Sequence, residues 1–167
     1  MTDQEVKSDV LVAFEYSYQH EEWVHPLDEA LAGVGVKDAL WKPSPNAKSI
    51  WEIVLHMAVW NENIVERIQT SAHTHPSEGA WPALPKVQDK KAWDAAKKRL
   101  SDSLDLVRST IEHTSLDHIR SSPFGLGDLF CRFTHNAYHI GQIVKMRELT
   151  ETETKAATKP KRSASNR

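Results

Sequence analysis

Only one cysteine, Cys131, occurs in the 167 residues, so no disulfide can form within the chain. No run approaches eighteen consecutive apolar residues, so no membrane-spanning helix is expected. The opening MTDQEVKSD lacks a basic stretch followed by an apolar one, so no secretory signal is expected. A lone thiol without an export signal predicts a cytoplasmic protein. Charge of one sign is also lacking: 21 Lys and Arg face 23 Asp and Glu, a formal net charge of −2. That balance gives no reason to expect nucleic acid or a membrane as a partner. Glycine is scarce, at six residues, and alternating β-branched runs are few, which argues against a sheet. There is no Ser-His-Asp order, no glycine-rich phosphate loop and no carboxylate pair above chance.

What the chain does have is helical periodicity, nine histidines and six tryptophans. Residues 4 to 32 carry Val10, Phe14, Leu27, Ala30 and Leu31 among polar positions, and are expected to form one long helix kinked at Pro26 and ended by Gly33 and Gly35. VGVKDALWKPSPNAK is expected to be a connection, because Pro43 and Pro45 oppose helix. Ser49 and Glu52 form a capping box for a second helix to about Thr70, with Ile50, Ile53, Val54, Met57, Ile64, Val65 and Ile68 at helical spacing. Residues 71 to 88 form a long loop with three prolines, in which Trp81-Pro82 either covers something or pins the loop to the helices. A third helix, from about Asp89 to Glu112, carries the stripe Trp93, Leu100, Leu104, Val107 and Ile111.

TSLDHIRSSPFG is a second connection, and a fourth helix runs from about Gly127 to Leu149. Gly141 inside it is expected to allow close approach by a neighbouring helix. Residues 150–167 have no large apolar side chain and are expected to be a disordered basic tail, solvated along its KPKR run, after a single domain at 1–149. The fold class expected is all-α: an up-down-up-down four-helix bundle.

His135 and His139 are four residues apart, which places them on one face of a helix about 6 Å apart in height. Phe133, Ile140 and Val144 flank them, so the pair is expected to look inward. His56 also lies in an apolar helix. Three buried imidazoles need partners. Spacing alone leaves two readings open: a shared divalent metal, or satisfied core histidines. If a metal is present, three His ligands leave an open position, the pattern of catalytic sites. Zinc, nickel, copper and ferrous iron all suit imidazole. Asn136 follows His135 where a metalloprotease would have Glu. Cys131 is separated from His139 by about 12 Å of helix rise and is expected to be a packed core thiol rather than a ligand. His73 and His75 are expected in a surface loop, and His20, His25, His113 and His118 are assigned no chemistry. Acid is expected to strip the ion near the pKa of free imidazole.

SIWEIVLHMAVWNENI in the second helix and HNAYHIGQIVKMREL in the fourth resemble the two signature segments of the DinB/YfiT-like superfamily, over residues from about 5 to 149. The resemblance implies a four-helix bundle, often dimeric, that binds a divalent metal, zinc or nickel foremost, through His56, His135 and His139. One departure is visible: the fourth helix opens Phe124-Gly125-Leu126-Gly127-Asp128 where the family usually has a Thr or Ser cap and a Leu. Some relatives are bacillithiol- or mycothiol-dependent transferases or isomerases. The resemblance therefore implies a metal-dependent thiol S-transferase or related hydrolase acting on a small molecule; the alternative is a non-catalytic metal-binding stress or sensor protein. Asn61, Gln142 and Trp81 are candidate pocket residues by position.

Overall fold

The computed structural model describes residues 2–22, 24–123 and 125–158, with the backbone alone described for 154–158. Every regular element among the described residues is helical: α1 Asp3–Tyr16, α2 Leu27–Leu31, α3 Val36–Leu40, α4 Ile50–Thr70, α5 Lys90–His113, α6 Leu116–Ser121 and α7 Gly125–Thr158.

The capping box at Ser49 forms as expected: its hydroxyl accepts from the amide of Glu52, and the Glu52 carboxylate accepts from the amide of Ser49. The cap fixes where α4 begins and so which of its residues face inward. α4 is the central helix, buried on most of its surface, and packs chiefly on α5 and α7. α1 packs on α5 and α7. Phe14 of α1 meets Phe133 of α7 with ring centroids 5.2 Å apart, and Trp51 of α4 meets Trp93 of α5 at the same separation. The Trp93 indole donates to the carbonyl of Val34 at 2.8 Å, which anchors the segment before α3. Burial of each such side chain contributes about 1.5–3 kcal/mol.

Four expectations change. The single helix over 4–32 is broken into α1 and α2. The Ser17 hydroxyl donates back to the carbonyl of Phe14 at 2.6 Å and ends α1, and Pro26 becomes the N-cap of α2 instead of a kink inside a helix. Each of the two connections holds a short helix: α3 follows Gly35, and α6 is capped by Ser115, whose hydroxyl accepts from the amide of His118. Gly141 makes no close approach, since a Cβ there would meet nothing within 4 Å. α7 runs beyond Leu149 to Thr158. The ETETKAAT segment lacks apolar surface but contains no Gly or Pro to stop a helix, and Glu153 accepts from the indole of Trp41 at 3.0 Å. Residues 159–167, including the KPKR run, lie outside the described residues.

α7 begins at Gly125 with a positive φ of 54°, and a Cβ there would come within 3.2 Å of the Arg120 carbonyl. Only glycine suits that turn. No helix among the described residues is long and apolar enough to cross a membrane.

Candidate metal centre

α4 and α7 bring His56, His135 and His139 together, and the three offer ligand atoms that all lie within 4.8 Å of one another. His56 and His139 are buried and His135 is half-buried. The Nε2 atom of His135 lies 2.9 Å from Nε2 of His56 and 3.0 Å from Nε2 of His139. The spacing read from the sequence thus corresponds to one cluster.

What stands behind each ring sets which nitrogen carries a proton. Nδ1 of His56 lies 2.5 Å from the carbonyl of Ala80, which can only accept, so Nδ1 donates and Nε2 keeps its lone pair. Nδ1 of His139 lies 2.7 Å from Oε1 of Gln142 and is set the same way. Both lone pairs therefore point into the cluster, the arrangement that outer-shell acceptors impose on metal-binding histidines. His135 is set oppositely. Arg132 donates from Nη1 to its Nδ1 at 2.7 Å, so in the neutral ring the proton sits on Nε2 and faces the other two imidazoles. Without a metal, that one proton is shared between two acceptors.

These residues fit a metal if the rings part slightly and the Arg132 guanidinium moves off Nδ1 of His135. Imidazole ligands on a tetrahedral zinc-like ion at about 2.0–2.1 Å stand about 3.3 Å apart. The rings must therefore separate by a few tenths of an ångström, and His135 must exchange its Nε2 proton for one on Nδ1. The cluster is a site that could hold a metal ion.

Burial holds all three rings neutral. It pushes His135 down to about 3, helped by the charge of Arg132, and His139 down to about 4, against the opposing hydrogen bond to Gln142. Burial also lowers His56, while the Ala80 carbonyl opposes that shift. Burial pushes Arg132 itself down to about 10.

Trp81 answers the question left open by the loop. Its indole stacks on the His56 ring at 3.9 Å and 14°, so it both covers the cluster and fixes the loop. Nζ of Lys48 lies 4.8 Å from the centroid of the Trp81 ring, and Trp81 remains 39 % exposed. Further fastenings hold the loop: Asn63 donates to Oγ1 of Thr74, Arg67 donates to the Thr74 carbonyl, and Arg99 bridges Glu62 and Glu78.

Of the other candidates, Gln142 touches the cluster, whereas Asn61 does not. Asn61 is fully buried, donates to Ser103 and accepts from Asn136, tying α4 to α5 and α7. Cys131 is exposed rather than a core thiol. Leu129, Phe133, Asn136 and Ile140 occupy the inward stripe of α7, and Cys131 falls about 200° around the helix from Leu129. His118 donates to the Ile68 carbonyl and His20 stacks on Tyr16. His73 and His75 are exposed in the loop. A cavity of about 700 Å³ lined by Tyr18, Leu27, Lys97 and Leu104 shares no residue with the cluster. Sequence reasoning missed Arg132 and the Ala80 carbonyl. The first had a signal, a charged residue one turn before His135 on the same face; the second is a backbone atom and had none.

Neither a curated protein nor a solved structure matches the chain. The model of the DinB superfamily matches residues 20–143, a span that contains all three clustered histidines. That span exceeds half of the 167 residues, and the chain belongs to the DinB superfamily.

Proposed function

We propose that His56, His135 and His139 hold one divalent transition metal, zinc or nickel foremost, and that the protein is a metal-dependent enzyme acting on a small molecule, with thiol transfer to an electrophile as the leading reaction. The observation that carries this reading is the orientation of the rings: Ala80 and Gln142 turn two Nε2 lone pairs onto a point that the third ring shares. The same reading takes α1, α4, α5 and α7 as the four members of an up-down-up-down bundle, with the site built between the second and fourth.

A divalent ion with three imidazole ligands keeps an open position, acts as a Lewis acid and lowers the pKa of a thiol or water that enters there. The chain's own residues do the rest. Ala80 and Gln142 hold two ligand rings in register. The Trp81 indole excludes water from one side of His56. Arg132 places a positive charge beside the cluster, which favours an anionic form of whatever enters.

The Trp81 stack also favours a second reading, a closed site in a metal-binding stress or sensor protein. Cobalt substitution separates the two. Azide or a small thiol should perturb the visible spectrum of the cobalt protein, and a panel of electrophiles with added thiol should show thiol consumption. A spectrum indifferent to every added ligand would reject the enzyme reading in favour of the closed site.

A further inference from the structure

Arg132 carries a buried positive charge that makes no direct ion pair among the described residues; Asp128 attracts it through space but is bonded to Arg67. The residue is only 9 % exposed, and its guanidinium lies 5.0 Å from the centroid of the Trp60 ring. Arg67 lies 5.7 Å from that same ring. Arg67 is well matched: Nη1 reaches both oxygens of Asp128, at 3.3 and 3.0 Å, and Nε donates to the Thr74 carbonyl. Asp128 is thereby engaged. Among the described residues no carboxylate lies within ion-pair distance of Arg132, and its one hydrogen bond runs from Nη1 to the neutral Nδ1 of His135. Its Nε is buried without a partner, and no acceptor is bonded to Nη2.

A buried charge is ordinarily paired, because leaving it uncompensated is costly. The contact with Trp60 offsets part of that cost through the ring face, but it uses none of the N–H groups, which lie in the guanidinium plane. The unoccupied Nε–Nη2 edge is the edge whose two parallel donors match a carboxylate. Coordination deepens the mismatch. A neutral His135 that gives its Nε2 lone pair to an ion carries its proton on Nδ1, and then accepts nothing from Arg132.

We propose that the Nε–Nη2 edge of Arg132 binds the carboxylate of a small anionic ligand and holds that ligand's other end against the histidine cluster. The inference deepens the reading of a metal-dependent enzyme, on which it rests, by naming the substrate class: a carboxylate-bearing small molecule, such as a thiol acid.

The test titrates cobalt-loaded protein with mercaptoacetate and with 2-mercaptoethanol, following the thiolate-to-cobalt absorption. Two charge-assisted hydrogen bonds should make mercaptoacetate bind at least about tenfold more tightly. Arg132→Gln should erase that preference by weakening mercaptoacetate at least about tenfold more than 2-mercaptoethanol, which loses only the positive charge beside its thiolate, and Arg132→Lys should keep part of it. Equal affinities in the wild type, or a preference that survives in Arg132→Gln, would overturn the proposal. Cobalt content per chain, measured before thiol is added, reports separately on the metal. Should cobalt fail to bind, or the variants fail to fold, metal-free wild type still decides the matter. The Nε–H resonance of Arg132 should shift saturably with acetate and stay still with ethanol, and a resonance unmoved by acetate would count against the subsite.

Discussion

His135 differs from its two partners in what stands behind it. His56 and His139 donate outward to acceptors, whereas His135 receives a hydrogen bond from Arg132. The outward acceptors should therefore matter to metal affinity without touching the ion. Gln142→Ala should weaken binding about 10–100-fold, as loss of outer-shell partners does elsewhere, with the fold intact by circular dichroism. Competition with a chromophoric chelator measures it, and an unchanged affinity would show that Gln142 does not orient His139. The depressed imidazole pKa values also fix a pH dependence. The rings start from an unfolded value of 6.5 and fall to about 3 for His135 and about 4 for His139. Between about pH 6.5 and pH 4 the unfolded chain binds more protons than the folded one, so metal-free stability falls as pH is lowered and is fully present above that window. Urea unfolding across that range should show the decline. A variant with His135→Gln and His139→Gln together should decline less steeply; parallel slopes would contradict neutral buried rings.

At the scale of elements, the helices that carry the cluster were legible in the sequence because each has a periodic apolar face, to which α4 adds a capping box. Ser49 caps α4 as predicted, and α5 begins at Lys90, beside the expected start near Asp89, whose side chain caps it. The first segment was not legible. Val10, Phe14, Leu27 and Ala30 sit in two separate short helices, and their shared apolar character masked the break made by a single serine hydroxyl. α7 exceeded expectation because lack of core-forming residues removes burial, not helix propensity. Gly141 in α7 gives the sharpest local prediction. With open space around its Cβ position, Gly141→Ala should stabilise the protein by up to about 1 kcal/mol, read as a higher unfolding midpoint. Destabilisation would mean that the glycine serves a close contact after all.

The whole molecule joins its core to the cluster through α4, whose buried surface runs from Trp51 through His56 to Ile68. Trp93 packs on Trp51 and also anchors Val34, so Trp93→Ala should cost about 3–5 kcal/mol, the range for deleting a large core aromatic. Chemical denaturation would show it; a loss below 1 kcal/mol would mean that the α4–α5 contact is not central. The three ligands were legible because side-chain spacing and inward character are written in the sequence. Their tautomers, the Trp81 cover and the unpartnered Nε of Arg132 were not, since they depend on which loop and which neighbouring turn fold against them.

The most direct measurement is metal content by elemental analysis of untagged protein, wild type beside His56→Ala, His135→Ala and His139→Ala. A three-imidazole centre predicts about one ion per chain in the wild type and loss in each single variant. A wild type without metal even after reconstitution, or loading that survives all three substitutions, would contradict it.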